Sequence, residues 1–232
     1  MLRLDGLRLA QGDFALAADL VVQGGATVAV MGPSGGGKST LLSVIAGFLA
    51  PVAGRVLWGG ADITALPPAA RPVSILFQDN NLFPHLTIAQ NIGLALRPAL
   101  RLTAAEADRV EDVLVRVGLA GLGTRRPAAL SGGQQSRAAL ARLLVAQKPL
   151  VLLDEPFAAL GPALRAEMLD LCAQTLGGQG RTLLMVTHDP QDARRIASDV
   201  MAVEGGEVSA PAPTAQVLDH PPPGLRAYLG KE

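Results

Sequence analysis

A single cysteine in 232 residues, Cys172, excludes an internal disulfide and a cysteine-rich zinc cluster, and suits a reducing compartment. Its plain expectation is a small buried hydrophobe. An excess of either charge is also lacking. Twenty basic side chains face twenty acidic ones, so no global basic field exists to hold nucleic acid, and no nucleic-acid partner is expected. No apolar run can span a bilayer, because the longest uncharged apolar stretch, 41–53, falls short of the roughly 20 residues required and contains Pro51. The opening MLRLDG carries an early acid and no secretory apolar segment, so no signal peptide is expected and any membrane role is peripheral. No internal repeat is evident.

What is present is the material of a well-filled interior: 49% hydrophobic and 17% charged residues, on a chain long enough for one large α/β domain. Leu2, Leu4, Leu7 and Leu9, then Phe14, Leu16, Leu20 and Val21, predict two short half-buried strands of an antiparallel layer, joined by a turn at 11–13. Solidly apolar runs at 27–31, 73–77, 150–153 and 182–186 read as parallel strands buried on both faces, with crossover helices between them. Between 86 and 148 the texture turns to helix-forming Ala, Leu, Arg and Glu around a loop at 118–127, an inserted helical segment. The proline-rich end, with Pro211, Pro213 and 221–223, predicts loose structure around one short helix at 214–218.

The stretch MGPSGGGKST, 31–40, lies between a strand and a helix and satisfies G-x-x-x-x-G-K-[ST]. Glycines let successive N–H groups face inward where a Cβ would obstruct a phosphate. Gly32, Pro33, Ser34, Gly35, Gly36, Gly37, Lys38, Ser39 and Thr40 form the expected cradle. Lys38 would reach the β and γ phosphates and Ser39 would ligate Mg²⁺, under the positive end of the following helix. The alternative, a mobile glycine turn with a solvated lysine, does not account for those flanks.

A second strand, LVLLDEP, delivers Asp154 to its C-terminal edge, where an acid can hold Mg²⁺ and leave Glu155 free to deprotonate water as a general base. His188, in MVTHD, and Gln78, after SILF, leave strand ends in the same way. Each by itself could be an ordinary exposed side chain. In LSGGQ, Ser131 is a suitable N-cap, and Gly132, Gly133 and Gln134 complete a second anion-binding helix tip. One nucleotide does not need two such tips. The economical explanation is a two-fold dimer, each chain offering the serine-glycine turn to ATP on its partner.

In this order, GPSGGGKST, Gln78, LSGGQ, VLLDEP and VTHD resemble the nucleotide-binding subunit of an ATP-binding cassette (ABC) transporter, over nearly the whole chain. The resemblance implies a P-loop NTPase (RecA-like) core with a mostly parallel sheet, an N-terminal antiparallel β subdomain and an inserted helical subdomain. These make one ATPase domain over 1–232, with 1–84 and 149–232 as β subdomain plus nucleotide-binding core and 85–148 as helical subdomain. It implies catalytic roles for Glu155, His188, Gln78 and Lys38, metal ligation by Ser39, Gln78 and Asp154, and action of Ser131, Gly132, Gly133 and Gln134 across the interface.

The stretch RPVSILFQDNNLFPHLTIAQNIGL, together with EPFAALGPALRAEML, is similar to the ATP-binding subunit of bacterial thiamine importers. That likeness implies ATP and Mg²⁺ as cofactors, an integral membrane permease met by Leu82, Phe83, Pro84 and Leu86, and a periplasmic thiamine-binding protein. The subunit would lie on the cytoplasmic face of the inner membrane. Polyamine, iron or sulfate stand as other cargoes. Two departures matter. Phe14 is the one aromatic around 9–16 able to stack adenine, and Gly161 stands where the family commonly has Asp, which implies weaker coupling between two ATP sites. No regulatory C-terminal domain is expected. A soluble ABC ATPase of DNA repair or translation would need long coiled-coil insertions or tandem cassettes. A P-loop kinase would leave 131–134 without a purpose.

Overall fold

Gly6 explains how one strand can bury four leucines at uneven spacing. Leu2 and Leu4 face inward by simple alternation, and so do Leu7 and Leu9, because a register shift between Leu4 and Leu7, with Gly6 at φ 56°, resets the pleat. This strand, β1 (Leu2–Gln11), pairs antiparallel with β2 (Phe14–Val22). The computed structural model describes residues 1–12, 14–177 and 180–230, so Asp13 of the expected turn lies outside them. In β2 the inward residues are Leu16, Ala18, Leu20 and Val22; the sequence reading places Val21 inward, but it stands on the exposed face, one pleat out of step.

Next come β3 (Thr27–Met31), α1 (Lys38–Ala46), β4 (Ala53–Trp58), β5 (Ala61–Asp62), β6 (Val73–Leu76), α2 (Ile88–Gly93), α3 (Ala104–Arg116) and α4 (Gly132–Ala146). They are followed by β7 (Leu150–Asp154), α5 (Pro162–Leu176), β8 (Thr182–Val186), α6 (Pro190–Ile196), β9 (Asp199–Glu204), β10 (Glu207–Val208), β11 (Ala212–Pro213), α7 (Thr214–Asp219) and α8 (Pro223–Tyr228). The main sheet runs β5-β4-β1-β2-β10-β9-β3-β8-β7-β6, with β11 added to β9. Its right-hand part, β9-β3-β8-β7-β6, is parallel throughout, β5-β4-β1-β2 is antiparallel, and the short β10 joins them, parallel to β2 and antiparallel to β9. The fold is thus a parallel α/β core joined edge to edge with an antiparallel β layer.

Strands buried on both faces divide the interior. Along β7, Leu150 and Leu152 face α1 and the antiparallel layer, whereas Val151 and Leu153 face α4 and α5. Along β3, Ala29 and Met31 face a third cluster built with Leu218 and Leu225.

That third cluster corrects the expectation of a loose C-terminus. Pro222 is the N-cap of α8 and Pro223 its first residue, positions where a missing N–H costs nothing, so these prolines start a helix. Leu225 of this helix and Leu218 of α7 are fully buried. The helix capped by Ser131 begins at Gly132, the glycines forming its first turn, and it ends at Ala146 with Gln147 left-handed. Strands β4, β5 and β9 to β11 escape the sequence reading, the shortest because two residues carry no period.

One buried cation fixes the far end of α1. Arg71 is almost wholly enclosed, with Nη1 donating to the carbonyls of Val44 and Ile45 at 2.7 and 2.9 Å, Nη2 to Thr64 at 2.6 Å and Nε to Leu66 at 2.9 Å. It satisfies the Ile45 carbonyl and shares that of Val44 with the Gly47 N–H of the helix end. An ammonium cannot reproduce that fork. Arg71→Lys is expected to cost about 2 kcal/mol and lower the melting temperature by several degrees, read by thermal denaturation. An unchanged midpoint would refute the clamp.

Candidate functional site

The glycine loop between β3 and α1 is shaped by what a side chain would strike. At Gly32, φ is 151° and a Cβ would sit 2.2 Å from the Val203 carbonyl oxygen of β9. At Gly37, φ is 99° and a Cβ would sit 2.5 Å from the Phe14 ring. The loop is therefore pressed between β9 and the antiparallel layer. Phe14, half-buried, is the aromatic nearest it. Gly37 is the N-cap of α1 and has no side chain to satisfy the first-turn N–H groups, which leaves them for an anion.

Lys38 begins α1 and turns back over the loop, its Nζ donating to the Gly32 and Pro33 carbonyls at 2.8 Å each. Burial pushes its pKa down, and the carboxylates of Glu155 and Asp154 oppose that shift. Ser39 Oγ donates to Asp154 Oδ1 at 2.9 Å, which ties the loop to the end of β7. Burial pushes the Asp154 carboxyl up, the Ser39 hydrogen bond pulls it down, and the Glu155 charge adds to the rise. Both atoms are hard oxygen donors. Their separation matches the roughly 2.9 Å between neighbouring ligands of an octahedron with 2.0–2.1 Å bonds, so the pair fits Mg²⁺, which takes few protein ligands. Among the described residues no cluster of three His, Cys, Asp or Glu offers a fuller cage.

Glu155 follows with φ 45°, a left-handed conformation uncommon for a residue with a side chain, its N–H donating to Val186 O at 3.2 Å. Its Oε2 lies 3.4 Å from His188 Nδ1. The turn carrying His188 is held from behind. Thr187 Oγ1 donates to Asp192 Oδ2 at 2.9 Å, and Arg165 of α5 donates through Nε to the same oxygen at 2.8 Å. Asp189 caps α6 by accepting from the Gln191 N–H at 2.8 Å. Nothing in the sequence marks Arg165, because it meets Thr187 and Asp192 across 22 and 27 positions; only the Asp-Pro start of α6 is legible.

The structure thus brings Gly32, Lys38, Ser39, Asp154, Glu155 and His188 to one edge of the parallel sheet. Gln78 leaves β6 at the same edge. Leu76, two positions before it, pairs with Leu153, two positions before Glu155, and Gln78 itself is exposed. The serine-glycine turn stands apart, and among the described residues no hydrogen bond joins 131–134 to 32–40 or 154–155. There Ser131 and Gln134 form a reciprocal capping box: Gln134 N–H donates to Ser131 Oγ at 3.3 Å and Ser131 N–H to Gln134 Oε1 at 3.0 Å. Gly133 lies against Leu164 of α5, while the position of a Gly132 Cβ is open. Two first-turn N–H groups remain for an external anion.

Gly161 is the N-cap of α5, with ordinary φ of −63° and no atom within 4 Å of an added Cβ. Gly161→Asp is expected to raise the thermal midpoint by about one or two degrees through a new cap, and to change the Hill coefficient for ATP hydrolysis. A fixed midpoint would deny the cap, and a fixed Hill coefficient the link between sites.

A glycine loop between strand and helix, a lysine over it, and a serine-aspartate pair beyond it define a P-loop NTPase. The ABC transporter family pattern matches residues 17–158, and the chain belongs to that family. It is 60% identical over 230 residues to the thiamine import ATP-binding protein ThiQ of Cereibacter sphaeroides, covering 99% of this chain and 100% of the relative. It is 57% identical over 230 residues to the ThiQ of Ruegeria sp. strain TM1040, with the same coverage of 99% and 100%. Among solved structures, a dimeric post-hydrolysis ATP-binding cassette bound to ADP and Pi superposes with TM-score 0.79 at 29% identity, over 92% of this chain and 99% of that one.

Proposed function

We propose that this chain is the ATP-hydrolysing subunit of a thiamine importer. The observation that carries hydrolysis is the convergence of the lysine loop, the Ser39–Asp154 pair and the Glu155–His188 pair on one sheet edge. The cargo rests on end-to-end likeness to thiamine import proteins. No helix among the described residues is long and apolar enough to cross a membrane. In this reading the solute path belongs to a permease.

In this reading the triphosphate lies along the N–H groups of 32–40. Lys38 exchanges its carbonyl contacts for the β and γ phosphates. Ser39, Asp154 and Gln78 hold Mg²⁺, which when bound neutralises developing charge on the phosphate oxygens. Glu155 accepts the proton of the attacking water. His188, held by Thr187, Asp192 and Arg165, keeps the Glu155 carboxylate in place with Nδ1 and can face the γ phosphate with Nε2. Ser131, Gly132, Gly133 and Gln134 complete the pocket of the partner in a homodimer. The segment 85–148 acts as the helical subdomain, and Phe83 and Pro84, exposed beside Leu82 and Leu86, meet the permease. A periplasmic thiamine-binding protein delivers cargo, and this subunit works at the cytoplasmic face of the inner membrane.

The test is ATP-driven uptake of labelled thiamine into vesicles holding this chain and its membrane partner, with polyamines, iron and sulfate as competitors. Uptake suppressed by excess unlabelled thiamine alone is expected. Uptake suppressed by one of the other solutes would overturn the cargo.

A further inference from the structure

The residues after Gln78 belong to the helices rather than to the strand they leave. Asn80 and Asn81 both adopt left-handed conformations, at φ 56° and 48°. Asparagine tolerates that region better than most residues, but two in succession still make a tight, strained turn. It is held by Arg142, ten positions beyond the start of α4. Arg142 Nη1 donates to Asn81 O at 2.7 Å and Nη2 to Asn80 O at 3.1 Å. Burial pushes the guanidinium pKa down, and no carboxylate pairs with it among the described residues, so these carbonyls are its partners. Asn80 Nδ2 also reaches Ser136 Oγ of α4 at 3.4 Å, while its Oδ1 is buried without a partner.

A second fastening follows directly. Fully buried Asn91 of α2 accepts from Phe83 N–H at 2.7 Å and donates to the carbonyls of Phe83, Leu86 and Thr87 at 3.1, 3.3 and 3.0 Å. Residues 80–87 are thus bolted to α4 and α2, whereas Val73–Leu76 are bolted to β7. Only Phe77, Gln78 and Asp79 lie between the two attachments.

We propose that Arg142 is a positioning residue for Gln78. By gripping the carbonyls of the two left-handed asparagines, it makes the loop travel with the helix whose tip is the serine-glycine turn. Any shift of that helix against the sheet is absorbed at 77–79 and sets where the Gln78 amide stands. The inference rests on the proposed role of Gln78 at the nucleotide.

The test uses a nitroxide on Phe83→Cys, an exposed position. The native Cys172 is fully buried and its thiol is pushed up by burial, so labelling is selective. Arg142→Lys, which can grip one carbonyl at a time, and Asn81→Ala, which removes the short amide side chain that lets asparagine tolerate the left-handed turn, should both sharpen the spectrum. Each should lower kcat for ATP about tenfold while KM stays within about twofold. Asn81→Gly accepts the same φ and should behave as the parent.

An unchanged spectrum, a loss of ATP affinity in step with kcat, or a freed label at full kcat would each overturn the proposal. Gln78→Ala separates the two possible failures. Full kcat in that variant removes the role given to Gln78, whereas low kcat beside an unimpaired Arg142→Lys removes Arg142.

Discussion

Glu155→Gln is expected to bind ATP as the parent does and to lose between about a hundredfold and ten thousandfold in turnover. The amide keeps the size of the carboxylate, and neither Lys38 nor the Ser39–Asp154 pair draws a hydrogen bond from it. What disappears is the proton acceptor beside His188. Phosphate release and nucleotide binding should be measured on the same preparation. Turnover at the parental rate would remove Glu155 as the base. A variant that also fails to bind would mean that Glu155 shapes the pocket rather than acting in the chemical step.

Gly32→Ala should fail at an earlier stage. The added methyl would meet the Val203 carbonyl oxygen at 2.2 Å, in a strand that cannot retreat because Met31 pairs with Ala202 immediately beside it. Either β3 and β9 part, or the loop leaves its cradle. We expect a destabilisation on the order of 3 kcal/mol and an ATP affinity reduced by at least about a hundredfold. Denaturant unfolding and titration with a fluorescent ATP analogue read the two effects independently. Wild-type affinity would show that the close approach to β9 does not shape the phosphate loop.

Much of the fold is legible in the sequence because the parallel strands are solid apolar runs and the phosphate loop is marked by glycines that permit few other backbones. The strand ends then fix the site. Once β3, β7 and β8 are placed side by side, Lys38, Asp154 and His188 must share an edge. Ser131 is readable as a cap because its partner is three residues away. Contacts between distant positions are not readable. Arg165 with Asp192, Arg71 with the end of α1, and Arg142 with Asn81 look in sequence like ordinary surface charges. The prolines at 221–223 mislead for a different reason, since the same residue that breaks a helix interior favours its first turn.

The left-handed backbone at Glu155 has a consequence for the division of labour between neighbouring acids. In an unbroken pleat, consecutive side chains stand on opposite sides, so a carboxylate next to Asp154 would be turned away into the packed interior. Reversing the twist at that single residue brings both acids out beside Lys38. At a conformational expense of roughly 1–3 kcal/mol, one can hold an ion while the other, an adjacent link of the same chain, takes up a proton.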